Sequence, residues 1–312
     1  YSDSTKGWLP VSDDAVADAP VVPPTQKGIF GFGNDGSGTS VTNLVNSSGV
    51  VATDTTGVGT ARWALAAASY GLDKAIFAYG TTGSVSSLSN LVSNAGVVAT
   101  DVSGVGTARS YLAAAGYGED KAIFAYGNPG SNTALSNLVS SSGVVAADVT
   151  GVGTVRQNLA ATGYGTDKAI FGYGFASWTS WLSMTNLVTN VGVIGTDVTG
   201  VGTGRAGPAA CSYGSTGQAI FGYGYAGSLT AVSNLVTNLG VVGSDVSGVG
   251  TARYQLACTA YGGDKGIFRG GYSGSKVSLS NLVSSSGVVA ADVTGVGTAV
   301  QELAAAGFSL SA

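Results

Sequence analysis

The side chains of this sequence best suited to chemistry recur in step. Asp54, Asp101, Asp148, Asp197 and Asp245 are each followed eight residues later by an arginine, namely Arg62, Arg109, Arg156, Arg205 and Arg253, whereas the sixth aspartate, Asp292, meets Val300. A circle of carboxylates can bind cations. A carboxylate beside a guanidinium can instead cap a turn or form a charge-assisted pair. The repetition favours the second use: duplicating a structural turn copies its aspartate into every unit, whereas a catalytic centre needs unlike groups converging at one place. Two carboxylates suffice to hydrolyse a glycoside, yet these stand at equivalent positions. With no histidine in 312 residues, Ser-His-Asp and Cys-His nucleophiles and histidine-based metal sites are excluded. We therefore expect no enzyme, no catalytic residue, no metal and no cofactor.

Three further groups break the pattern. Phe175, Trp178 and Trp181 stand in a segment, FASWTSWLSMT, where sibling segments carry Gly, Ser and Thr; such a loop can stack on a sugar ring, meet another copy, or fold back on its own unit. Trp8, Leu9 and Pro10 lie in a Pro- and Asp-rich stretch over 1–26, which reads as an extended arm. That arm is either a flexible leader or an anchor, because a Trp beside a Pro is a ready docking element. Cys211 lies six residues after Arg205 but Cys258 five after Arg253. The odd offset turns them to opposite faces, and the expectation is two reduced, buried thiols.

The elements that position these residues are copies of one unit. Asn-Leu-Val begins at Asn43, Asn90, Asn137, Asn186, Asn234 and Asn281, and Ile-Phe precedes it at Ile29, Ile76, Ile123, Ile170, Ile220 and Ile267. The period of roughly 47 to 49 residues belongs to propellers and solenoids. Units start near 27, 74, 121, 168, 218 and 265. Within the second, short β-branched or aromatic runs bounded by turn residues predict strands near Arg62–Tyr70, Lys74–Gly80, Leu88–Ser93 and Gly96–Asp101. Nothing reads as helix.

The runs are apolar or small on both faces, as sheets covered on both sides require. Ala66–Ala68, Ala113–Ala115 and Ala304–Ala306 suit the crowded centre of a ring. The ends are complementary: the first unit lacks the Arg-led strand, and 299–312 supplies an extra one. The expectation is an all-β, six-bladed β-propeller over 27–312, with four-stranded antiparallel blades and the C-terminal strand completing the first.

Only 10% of residues are charged, 51 are glycine and the net charge is -4. Without a Lys/Arg run, nucleic acid is excluded as a partner, and no apolar run is long enough for membrane insertion as a helix.

The order RWALAAA, KAIFAYG, LSNLV and VVATD resembles the kelch repeat, whose glycine doublet is matched outright at Gly270-Gly271 and reads Tyr-Gly elsewhere. The IFGYG strand, the Ser/Thr/Asn-rich hairpin and the TAR-led strand are also similar to the Gly-rich repeat proteins on the virions of tailed phages, notably cyanophages. That resemblance implies a non-enzymatic virion protein of a tail, baseplate or capsid decoration, with other virion proteins and a host-surface glycan as partners and 1–26 as the attachment. The alternative is a secreted or surface lectin-type propeller with sugar pockets lined by Tyr79, Tyr126, Tyr173 and Tyr223. Either could form homo-oligomers.

Overall fold

The computed structural model describes residues 24–177 and 179–312, together with two short strands nearer the N terminus. Among these residues the chain is all-β. In chain order, β1 (Ser2–Asp3) pairs with β2 (Gly7–Trp8). The first hairpin is β3 (Lys27–Asn34) and β4 (Gly38–Val45). The second sheet is β5 (Ala66–Tyr70), β6 (Lys74–Ala78) and β7 (Ser89–Val92), and the third is β8 (Ala113–Tyr117), β9 (Lys121–Ala125) and β10 (Ser136–Val139). The fourth holds β11 (Ala160–Tyr164), β12 (Lys168–Gly172) and, after a small hairpin of β13 (Phe175–Ser177) and β14 (Ser180–Trp181), β15 (Thr185–Val188). The fifth is β16 (Ala209–Tyr213), β17 (Gln218–Tyr225) and β18 (Leu229–Val236); the sixth is β19 (Ala257–Tyr261), β20 (Lys265–Arg269) and β21 (Ser280–Val283). The last strand, β22 (Ala304–Phe308), pairs antiparallel with β3, Ala304 opposite Gly31, so the first sheet is β22-β3-β4.

The sheets have three strands, not four. The segment expected as the fourth strand of the second sheet meets β7 only at the isolated bridges Val92–Val98 and Ser89–Val102. Between them the Asn90 side chain takes over the ladder, its Nδ2 donating to the Ala99 carbonyl at 3.0 Å and to Asp101 at 2.9 Å. A side chain that enters a ladder interrupts it, because the backbone groups it satisfies no longer pair with backbone. The equivalent asparagine does the same in the other sheets, from Asn43 to Asn281.

Inner strands pack side by side in the order β22, β5, β8, β11, β16, β19, and β19 returns to β22. Each gap between successive sheets holds its own apolar cluster. The alanines of the inner strands let them approach, and aromatic pairs bridge the gaps further out: Tyr79 meets Phe124 with ring centroids 5.4 Å apart, and Tyr126 meets Phe171 at 5.5 Å. Such pairs add about 0.5–1.5 kcal/mol beyond the area they bury.

Backbone hydrogen bonds tie both ends of the inner strands. At one end, the residues two before each inner strand form a closed circle: Tyr111 N–H donates to Ala64, Asn158 to Tyr111, Gly207 to Asn158, Gln255 to Gly207, Glu302 to Gln255 and Ala64 to Glu302. At the other end, tight turns do the same, with Gly71 donating to Asp120 and Gly118 to Asp167. There the first sheet has no turn of its own, and the chain ends fill in: Gly262 donates to Gln26, Gln26 to Ser309 and Ser309 to Asp73. Pro24 and Gln26 therefore lie at this second end, beside Gly263.

Candidate functional site

The arginines are fully buried. Arg109 donates from Nε to the Tyr126 carbonyl at 2.9 Å, from Nη1 to that of Thr107 at 3.0 Å and from Nη2 to Asn137 Oδ1 at 2.7 Å, while its guanidinium lies 4.3 Å from the ring centroid of Tyr79 in the preceding sheet. Asp148 accepts from the Thr107 N–H at 3.0 Å and its hydroxyl at 2.6 Å. Gly106, at φ 75°, must be glycine here, because a Cβ would strike the Asp148 carboxylate. Burial alone would raise the Asp148 carboxyl; the hydrogen bonds from Thr107 and Asn137 outweigh it and hold the group below the ordinary aspartate range. Burial pushes Arg62 down to about 10 against the pull of Asp101.

The partners differ from the sequence expectation. Each aspartate serves the Thr-x-Arg of the unit before it, not the arginine eight residues after it: Asp101 clasps Thr60, 41 residues earlier, and lies 3.8 Å from Arg62. Asp197 and Asp245 likewise hold Thr154 and Thr203 ahead of Arg156 and Arg205, and Asp292 holds Thr251 and lies 4.0 Å from Arg253. The aspartate that faces Val300 is Asp54, which holds Thr298. Spacing along the chain misleads because the outer segment folds back onto its own sheet before the chain moves on.

At that junction three residues have changed together. Val300 replaces the arginine, Gly270 replaces the tyrosine it would cover, and Arg269 stands where siblings have Ala or Gly. Arg269 is buried, and its Nη2 donates at 2.7 Å to the Val296 carbonyl. In four other sheets the equivalent carbonyl takes a tyrosine hydroxyl, as Val105 does from Tyr79. Its charge also acts on Asp54. One arginine from the opposite direction thus takes over the tyrosine's hydrogen bond and the missing arginine's charge.

The tyrosines proposed as sugar pockets do not line any. Tyr79, Tyr126, Tyr173 and Tyr223 are at most 1% exposed and each is covered by an arginine. The cysteines are also corrected: Cys211 on β16 and Cys258 on β19 form a disulfide, their Cα atoms 5.4 Å apart. Opposite faces of neighbouring sheets are the faces that confront each other across a gap, so the odd offset favours pairing. Gly266 makes room where siblings have alanine, a Cβ there lying 2.5 Å from the Cys211 sulfur.

Phe175 is buried and opposes Trp181 in the β13–β14 hairpin, while Trp178 lies outside the described residues. Trp181 is half-buried and starts an aromatic row: its ring is 5.8 Å from Tyr225, Tyr225 is 5.9 Å from Tyr254, and Tyr254 is 5.9 Å from Tyr272. For the arm, Trp8 belongs to β2, whereas Leu9 and Pro10 lie outside the described residues.

Beside that row, at the end of the inner strands away from Gln26 and Ser309, lies an open depression of about 70 Å³. Its mouth is the hydrogen-bonded circle Ala64, Tyr111, Asn158, Gly207, Gln255 and Glu302, over a leucine-rich floor. All six have left-handed backbones, φ 51° to 58°, a conformation only glycine adopts without cost. Tyr111 Oη at 3.0 Å and Gln255 Nε2 at 2.8 Å both donate to Glu302 Oε1. Burial raises the Glu302 carboxyl above its ordinary value despite these bonds, and the same burial pushes the Tyr111 hydroxyl up.

A scan of protein families finds no match for the chain, and a search of curated proteins finds none. The site therefore has to be read from its own residues. Among the described residues no group of three His, Cys, Asp or Glu is placed to hold a metal, and no helix is long and apolar enough to cross a membrane. The mouth of the depression is the part that motif reading missed. Its signal was present as one position, two residues after each arginine or Val300, that differs in all six units while its surroundings repeat.

Proposed function

We propose that the six sheets are the blades of a closed six-bladed β-propeller, and that the chain is a non-enzymatic virion protein that holds a contact surface away from its point of attachment. One observation carries this reading: the two ends of the inner strands are unlike. The end at which Gln26 and Ser309 join the circle is built of repeated turns with paired charges such as Asp120–Lys121 and Asp167–Lys168. The other end gathers the residues that differ between units, Tyr111, Asn158, Gln255 and Glu302, with the row from Trp181 to Tyr272 beside them. Repeat proteins keep scaffold positions constant and vary those that meet a partner. The cycle of inner strands and the β22–β3 pairing support the closed ring, since closure removes exposed edges. The virion setting rests on the resemblance of the repeats to those of tailed-phage particles.

A secreted lectin-type propeller is the second reading, favoured by the Cys211–Cys258 disulfide, which belongs to oxidising surroundings that virion surfaces share. Fractionation separates the two. An antibody to the purified chain should follow nuclease-resistant particles through a density gradient, and the chain lacking 1–25 should fold but no longer sediment with them. Full-length chain found only free in the medium contradicts the virion reading and supports the second.

A further inference from the structure

We propose that the axial depression is a carbohydrate-binding site that seats one neutral pyranose against Glu302, Gln255 and Asn158, with Tyr254, Tyr225 and Trp181 carrying the sugars that follow. The proposal rests on the reading of this end as the contact end and adds the class of ligand. Glu302 is fixed by Tyr111 and Gln255, both bonded to the same oxygen, and Asn34 is a further side-chain partner. Gln255 spends its Nε2 on its bond to Glu302, which holds its side chain against the carboxylate. Across the circle stands Asn158, half-buried, which brings a donor and an acceptor. A carboxylate facing a mixed amide across the depression matches the hydroxyl groups of one sugar ring. The carboxylate disfavours an anion, and the two donors already on it leave a poor cage for a metal ion.

Shape points the same way. Gly207 and Ala64 bring no long side chain to the circle, and leucines line the depression beside it. Tyr254 borders the depression directly: its Cδ2 lies 3.3 Å from where a Cβ on Gly207 would stand. From there the rings step outward at centroid spacings of 5.9 and 5.8 Å, close to the advance of a polysaccharide per residue. Tyrosine and tryptophan combine an apolar ring with a polar tip, which suits a ligand that is apolar on its faces and polar at its edges.

The test is titration of the intact chain with neutral monosaccharides and their linear oligomers, read by saturation-transfer NMR and calorimetry. At least one pyranose should bind, and its oligomer at least about tenfold tighter. Glu302→Gln and Asn158→Ala should each weaken the monosaccharide about tenfold. Tyr254→Ala should remove the gain of the oligomer while sparing the monosaccharide, and Asp120→Ala, at the other end, should change neither. Circular dichroism keeps loss of fold apart from loss of binding. No sugar binding at high millimolar concentration, or binding that ignores all three substitutions, overturns the proposal. If Tyr254→Ala abolishes attachment to intact cells while no sugar binds, the proposal fails but the contact-end reading stands.

Discussion

Two sets of carboxyl groups work in opposite directions with pH. The six clasping aspartates are held below their ordinary value by threonine and asparagine donors that outweigh burial. Their folded pKa is depressed, so their contribution is complete above the ordinary aspartate pKa and is lost as pH falls through the depressed values. Six such groups losing their bonds together predict a steep fall in urea midpoint below about pH 4. Asp148→Ala should cost about 1–2 kcal/mol at neutral pH, because the Thr107 N–H and Asn137 lose an acceptor. Glu302 has the opposite sign. Its folded pKa lies above the ordinary 4.5, so it favours the folded state below that value and this contribution is lost as pH rises through the raised pKa. Glu302→Gln keeps an acceptor for Tyr111 and Gln255 and should abolish that decline, leaving the variant at least as stable as wild type at pH 7. A Glu302→Gln chain whose midpoint falls with pH as wild type does would contradict the assignment.

At the level of elements, the junction around Arg269 makes the sharpest case. Arg269→Ala should strip the half-buried Val296 carbonyl of its donor, at about 1–3 kcal/mol, while Asp54, exposed, loses its cation at little further cost. Adding Gly270→Tyr and Val300→Arg to Arg269→Ala rebuilds the junction found elsewhere and should recover most of the loss. Failure of the triple variant to exceed the single one in melting temperature would sink the exchange argument. Much of this level was legible in advance: Asn-Leu-Val and Ile-Phe mark real strands in every unit, and the unmatched Ala304–Ala306 run does pair with the first strand. What stayed hidden depended on the path of the chain between strands. The fourth strand gives way because Asn90 and its siblings enter the ladder, a use of asparagine that local pattern cannot distinguish from a turn. The missing arginine at Val300 was legible, but not its replacement by Arg269, since only the packing shows that Arg269 reaches Val296. The cysteine offset was read within one sheet, although the gap between two decides it. Glu302 and Tyr111 were passed over because each is unique among its siblings, and a motif is found by what repeats.

For the whole molecule, the two ends of the inner strands differ in kind. Removing 299–312 takes β22 from the first sheet and exposes β3 as an open edge, which should replace a single cooperative unfolding transition by broad unfolding and aggregation. The closed circles of backbone bonds explain why one missing strand matters so widely: each inner strand is tied to both neighbours at both ends. The repeated end holds Gln26 and Ser309, and the unrepeated end carries the depression and the aromatic row. The most direct test of that division is retention of the purified chain on envelopes of candidate host cells, comparing Trp181→Ala/Tyr254→Ala with Asp73→Ala/Lys121→Ala. The account predicts that the first pair weakens binding at least about tenfold and the second leaves it as in wild type. Binding lost only in the second pair would place the contact surface at the wrong end and contradict it.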